Sequence, residues 1–228
     1  MTVDESKRLL IELSKEHIKY QIIVQLAIVL GLRRSEILGI KWSDLDLENR
    51  ILFLNQSSIY VCGAGYFESD LKTEPSYRGL ALPRITTYLL KKYKKISLEY
   101  SKEPEFVFIS NRNVRKGYRM NPSSLTNWFC AFRKKINLPS EVPLQGLRHT
   151  NATLLLIRGF DVKSVSTRLG HSNTETTLDI YSEALPETDK TTSETMDKVL
   201  FQRDKIPKEN ITQHKRKLSL RKKERTLV

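Results

Sequence analysis

Leu147-Arg148-His149-Thr150-Asn151-Ala152-Thr153, followed downstream by Arg168-Leu169-Gly170-His171-Ser172-Asn173-Thr174-Glu175-Thr176-Thr177-Leu178-Asp179-Ile180-Tyr181, is the stretch on which the reading of this chain turns. It sets an arginine, a histidine and a tyrosine in one order. A guanidinium can give paired hydrogen bonds to phosphate oxygens, an imidazole can donate to the same group, and a phenol oxygen can attack phosphorus. Taken singly, each residue is ordinary. A tyrosine in a helical segment is most often a core or interface aromatic, and a lone histidine is most often a structural donor. Their order and local context set them apart.

A second motif lies upstream: Gly31-Leu32-Arg33-Arg34-Ser35-Glu36-Ile37-Leu38-Gly39-Ile40-Lys41-Trp42-Ser43-Asp44. Glu36 follows Arg33 by one helical turn, so its carboxylate can hold the Arg33 guanidinium in place. Read alone, the same spacing also describes a surface ion pair at a helix start. Together the two stretches resemble the tyrosine recombinases of the phage-integrase family. The upstream stretch is similar to the first-arginine motif G-L-R-x-S-E with its following L-x-W-x-D, and the downstream stretch to the C-terminal signature. A third segment, Leu71-Lys72-Thr73-Glu74-Pro75-Ser76-Tyr77-Arg78, resembles the family's strand-turn-strand run K-T-x-x-S-x-R.

The resemblance implies roles. Tyr181 is the nucleophile, forming a 3′-phosphotyrosyl link and releasing a 5′-hydroxyl; the bond energy is stored, so neither ATP, metal nor other cofactor is implied. Arg33 and Arg148 clamp the phosphate, and His171 donates to it from just before an expected helix N-terminus. Lys72 protonates the leaving 5′-oxygen, Glu36 supports Arg33, and Arg34 is a solvated or DNA-facing neighbour. One position departs from the pattern: where the family has H-x-x-R, this chain has Gln145-Gly146-Leu147-Arg148. Glutamine can hydrogen-bond the tyrosine or the phosphate but cannot shuttle a proton near neutrality. Acid–base assistance is worth about 10²–10⁴-fold, so reduced or context-dependent activity is expected. His149 reads as a packed helix histidine turned away from Arg148. Arg78 reads as a strand residue that shapes the hairpin or touches DNA.

The function so implied is a site-specific recombinase or integrase catalytic domain acting on double-stranded DNA for a phage or mobile element. The expected assembly is a homotetramer on DNA, with an accessory directionality protein as a possible further partner. Two rival readings stay open: a DNA-binding relative that has lost catalysis, and a type IB topoisomerase-like enzyme.

Composition agrees with a DNA partner. The 228 residues carry a formal net charge of +13, the electrostatic footprint of a nucleic-acid binder. Residues 211–228 hold seven basic side chains against Glu224, a net +6, which leaves +7 on the body. No Cys/His cluster has zinc spacing, and Cys62 and Cys130 read as reduced thiols. The longest apolar run, Ile22 to Leu30, is interrupted by Gln25 and far too short to span a bilayer. A bacterial, cytoplasmic, nucleoid-associated protein without membrane contact is expected.

The fold class expected is α+β and mostly helical: a tyrosine recombinase catalytic core with a small three-stranded antiparallel sheet. Thr2 to Glu5 has the form of a capping box, and a buried helix is predicted from about Tyr20 to Leu30, then a short helix through Ile40. Strands are predicted over 51–54, 58–61, 67–72 and 77–82. A long helix follows Pro83, with Ile85, Tyr88, Leu89 and Tyr93 at helical spacing; Phe106 to Ile109 is a short extended run. Asn121-Pro122 caps a helix through about Ile136. Further helices are predicted over 145–158, 162–169, 174–182 and 187–202. Residues 1–206 are thus read as the catalytic domain and 207–228 as a basic, disordered tail. No N-terminal core-binding domain is read before the first arginine, so weak DNA binding by this domain alone is expected.

Overall fold

The computed structural model describes residues 1–61, 65–70, 78–111, 113–139, 142–171, 173–184 and 196. Lys72, Cys62, the helix expected over 187–202 apart from Met196, and the basic tail lie outside the described residues. Met1–Ala184 forms one compact unit.

Helix α1 (Val3–Leu13) starts at Thr2, whose hydroxyl accepts from the Glu5 N–H while the Glu5 carboxylate accepts from the Thr2 N–H. Such a cap is worth about 1 kcal/mol. Helix α2 (Ile18–Val29) is apolar almost all round because α1, a short α3 (Arg34–Gly39), α4 (Arg84–Leu98) and α6 (Gly146–Ile157) pack around it. Ile22, Ile23, Val24, Leu26 and Ala27 are buried along it. Lys19 is buried as well, its Nζ donating to the Ile109 carbonyl and to Asn111 Oδ1, both at 3.0 Å.

Helix α4 turns inward only part of the apolar set at helical spacing, Tyr93 fully and Leu89 partly. Thr86, Leu90, Tyr93 and Ser97 are buried, while Ile85 and Tyr88 are exposed. Thr86 meets α2 through a 2.8 Å hydrogen bond from its hydroxyl to Gln25 Oε1, which fixes the rotation of α4 and turns the apolar pair outward.

The expected three-stranded sheet is present with a changed membership. Strands β1 (Leu45–Asp46), β2 (Ile51–Leu54) and β5 (Arg78–Ala81) pair antiparallel in the order β1-β2-β5, with Leu52 opposite both Leu45 and Leu80. Strands β3 (Gln56–Val61) and β4 (Gly65–Asp70) form a separate hairpin. The two ladders part at Asn55, whose side-chain amide donates to Asp44 Oδ1 at 3.3 Å instead of continuing a strand. The extended run Phe106 to Ile109 is fully buried and held by isolated bridges, Lys41 to Phe106 and Ile109 to Arg119.

Helix α5 (Pro122–Lys135) is capped by Asn121, whose Oδ1 accepts from the Ser123 N–H. Helices α6, α7 (Val162–Leu169) and α8 (Glu175–Ala184) enclose a small second core of Ala152, Leu156, Val165, Leu169 and Ile180. Helix α6 contributes to both cores, Leu147 to the larger and Ala152 and Leu156 to the smaller. Among the described residues, no helix is long and apolar enough to cross a membrane, and no three His, Cys, Asp or Glu side chains cluster as metal ligands.

Candidate active site

The site is built on the end of α7. Gly170, at φ +67°, closes that helix with the left-handed residue that glycine adopts without a Cβ penalty, and the His171 N–H reaches back to the Ser166 carbonyl at 3.1 Å. The last carbonyls then point at cations from two other elements. Arg148 Nη2 donates to the Leu169 carbonyl at 2.7 Å, and Arg33 Nη2 donates to the Gly170 carbonyl at 3.0 Å. Both guanidiniums thus sit at the negative end of one helix dipole, on consecutive carbonyls.

Each arginine has a second anchor. Arg148, only 8% exposed, also donates through Nη1 to the Gly31 carbonyl at 2.7 Å. Gly31 lies between α2 and α3 at φ +67°, where a Cβ would overlap Leu169 Cδ2. One turn along α6, Asn151 Nδ2 donates to the Ile28 and Val29 carbonyls, both at 2.9 Å, and so covers the open C-terminal end of α2. The glycine of the G-L-R motif is therefore the point where three helices and one catalytic-motif arginine meet.

Arg33 is anchored by Glu36. That carboxylate, 1% exposed, accepts from the Arg33 N–H at 2.7 Å and from Arg33 Nη1 at 2.8 Å. It also accepts from Arg78 Nη2 at 3.3 Å. The reading of Arg78 as a hairpin-shaping or DNA-touching residue is corrected: its side chain is 7% exposed and buried behind the site as a second counter-ion to Glu36. Arg78 opens β5 and reaches Glu36 of α3, and its burial is tolerated because the carboxylate is there. Arg34 is likewise not a free neighbour, since its Nη1 donates to Thr126 Oγ1 on α5 at 2.8 Å.

A cleft of about 280 Å³ is lined by Leu32, Arg33, Gln145, Arg148, His149, His171 and Thr176. Four of the six residues predicted to carry chemistry, Arg33, Gln145, Arg148 and His171, are thus brought to one opening. Tyr181 is not in that lining. It lies on α8, four residues after Thr177 and so on the same helical face, about 6 Å along the axis, and the residue is 36% exposed. His149 departs from prediction: it is exposed and lines the cleft beside Gln145, because residues four apart at a helix start share a face.

Electrostatics follow from burial and like charge. Burial, and then the nearby Arg33, push Arg148 down to about 9, with Glu36 opposing. It stays cationic at neutral pH. His171 is pushed down to about 4, first by burial and then by Arg148 and Arg33, so its ring is neutral at pH 7. Its Nδ1 lies 2.8 Å from the hydroxyl of Thr177, a fully buried residue of α8. When that hydroxyl donates, the proton is held on Nε2 and the ring becomes a neutral donor. Thr177 is a site residue that pattern reading missed, since a helical threonine carries no signal of its own. The arrangement offers donors and positive charge to one anion, and a guanidinium has more N–H groups than the two used here by each clamp arginine.

Comparisons with known proteins point the same way. A sequence model described as the phage integrase family matches residues 1–188. The tyrosine recombinase XerC-like protein of Caldanaerobacter subterraneus subsp. tengcongensis is 30% identical over 209 residues, covering 85% of this chain and 52% of that protein. The integrase of Staphylococcus phage L54a is 28% identical over 188 residues, covering 78% of this chain and 51% of that protein. The chain spans about half the length of these curated relatives. In fold it is similar to the Tn1549 transposon integrase solved with transposon right end DNA, at TM-score 0.75 and 24% identity, over 87% of this chain and 65% of the other. It is also similar to the XerA recombinase, at TM-score 0.65 and 24% identity, over 88% of this chain and 64% of the other. By the family match over most of its length, the chain belongs to the phage integrase family.

Proposed function

We propose that this chain is the catalytic domain of a site-specific recombinase that cuts and rejoins duplex DNA through a 3′-phosphotyrosyl link at Tyr181, in the integration or excision of a phage or mobile element. The observation that carries the proposal is the pair of guanidiniums, Arg33 and Arg148, held on the consecutive carbonyls of Gly170 and Leu169 and opening into one cleft with His171. Arg33, Arg78, Arg148 and Arg168 lie close enough there to influence one another, with Glu36 as the opposing carboxylate among the described residues, which favours an anion as the occupant.

A DNA phosphate in the cleft reverses the electrostatic stress on Arg148 and His171. The clamp stabilises the charge that grows on the non-bridging oxygens as the phenol attacks, and His171 adds an uncharged donor. Lys72 is the proposed acid for the 5′-oxygen, on its motif alone. The basic composition supports backbone contact with DNA. Action as four protomers on two duplexes, and an accessory directionality protein, belong to the same proposal and rest on the family resemblance.

A second reading, a DNA-binding relative without catalysis, is favoured by one observation: Gln145, which cannot carry a proton, lines the cleft. Covalent capture separates the two. The full chain is mixed with a random-sequence pool of nicked duplexes whose cleaved fragment diffuses away, and adducts that survive denaturant are sequenced. Recovery of a common site is expected. Site-specific retention without any denaturant-stable adduct would favour the non-catalytic relative. Relaxation of supercoiled DNA without strand exchange would point to a topoisomerase-like enzyme.

A further inference from the structure

The attacking phenol must lose a proton, and Gln145 cannot take it. His149 lines the cleft with Arg33, Arg148 and His171, and it also lines an adjoining hollow of about 550 Å³. Among the described residues, Gln145 is the only other one common to both linings. The two residues, four apart at the start of α6, therefore form the ridge between clamp and hollow. The far wall of the hollow includes Ile180, the residue before Tyr181. His149 thus borders both the cleft that holds the two arginines and a hollow walled in part by α8.

The other groups facing the cleft are poor proton acceptors. Arg33 from α3 and Arg148 from α6 are cations, and Thr176 from α8 is neutral and not basic. His171, after α7, has Nδ1 engaged with Thr177, and the neighbouring guanidiniums oppose a charge on its ring. His149 is close enough to be among the charges that act on His171, yet it is exposed. An imidazolium formed there keeps its water, so it costs far less than one formed inside.

We infer that His149 receives the proton of the Tyr181 phenol during attack, a role that rests on the recombinase reading above. The Tyr181 O–H bond breaks and its proton passes to the imidazole. The phenol oxygen–phosphorus bond forms as the phosphorus–5′-oxygen bond breaks, and the leaving oxygen takes its proton from Lys72. On rejoining, the imidazolium returns its proton to the departing phenolate. The motif histidine is thus displaced by one helical turn, from 145 to 149.

The test is single-turnover adduct formation by the full chain on a nicked duplex recovered from the pool, with either oxygen or sulfur at the 5′-bridging position. A sulfur leaving group needs no acid but leaves the demand for a base unchanged. His149→Ala is expected to slow adduct formation by about 10²–10⁴-fold on both substrates, whereas sulfur rescues Lys72→Ala. Adduct formation by the wild type should quicken as pH rises, and His149→Ala should lose that dependence. Adding Gln145→His to His149→Ala returns an imidazole to the same ridge and should recover part of the rate. An exposed side chain is replaced, so the variant should melt with the wild type. A His149→Ala rate equal to wild type, or its rescue by sulfur, overturns the inference while leaving the recombinase reading intact. A wild-type chain that forms no adduct with any duplex overturns both.

Discussion

Replacing Glu36 by glutamine keeps the side chain's shape and removes its charge, and the structure says what that costs. The wild-type carboxylate accepts from the Arg33 N–H, from Arg33 Nη1 and from Arg78 Nη2 at 2.7, 2.8 and 3.3 Å, with 1% of Glu36 exposed. The amide keeps one acceptor oxygen and turns an NH₂ toward donors. About two charge-assisted bonds are lost, each worth about 1.5–3 kcal/mol. Arg78, 7% exposed, then loses the Glu36 carboxylate while Arg33 and Arg168 still act on it. Both routes give a destabilisation of about 3–5 kcal/mol, the range for breaking a buried ion pair from one side. Urea unfolding is the suitable assay because urea does not screen charge; the midpoint should fall with the slope unchanged. Adding Arg78→Met should recover part of the loss, since the buried guanidinium that used the Glu36 charge is then removed. A loss below about 1 kcal/mol, the level of an exposed ion pair, would refute Glu36 as the buried counter-ion of the clamp.

Gly31→Ala forces a Cβ onto Leu169 at a left-handed backbone position; strain of about 1–2 kcal/mol and overpacking of about 1–3 kcal/mol should lower the melting temperature by several degrees. An unchanged melt would mean the α2–α3 turn is not held against α7. His171, pushed down to about 4, resists protonation in the folded protein, whereas an unfolded histidine charges near 6.5. The unfolded state therefore binds more protons between those values, so stability falls as pH drops from 6.5 to about 4 and the residue adds no slope above 6.5. His17 is lowered too, by burial first, so the comparison is with His171→Asn, whose slope should be shallower. An NMR midpoint for His171 near 6.5 would contradict this. Thr177→Val removes the partner of His171 Nδ1 and should mix the two imidazole tautomers in ¹⁵N spectra, while Thr177→Ser keeps one; identical spectra for all three would dismiss the positioning role.

The helices were the legible part of the fold because their signals are local. The Thr2–Glu5 box, the Asn121-Pro122 cap and the apolar run of α2 all fall where predicted to within a few residues. The sheet was half legible. β1 is two residues long and carries no alternation, and the break at Asn55 depends on Asp44, a contact that strand propensity cannot anticipate. The rotation of α4 was hidden for the same reason, being decided by Thr86 against Gln25. In the site, Arg33, Arg148 and His171 were legible through motif resemblance, and the structure brings them to one cleft. What held them was not. Main-chain carbonyls of Gly31, Leu169 and Gly170 do that work, and a carbonyl has no sequence signature. His149 looks packed beside Arg148 in the chain, but its four-residue spacing from Gln145 puts it on the cleft. Lys72 stands on its motif alone.

The most direct measurement is the identity of the residue bonded to DNA. The full chain is trapped on a nicked duplex recovered from the pool, the adduct is digested with protease and nuclease, and the nucleotide-bearing peptide is sequenced by mass spectrometry. The nucleotide should sit on Tyr181 through a 3′-phosphate, and Tyr181→Phe should give no adduct. An adduct on any other residue, or one undiminished in Tyr181→Phe, would contradict the assignment of this cleft and this phenol to one reaction.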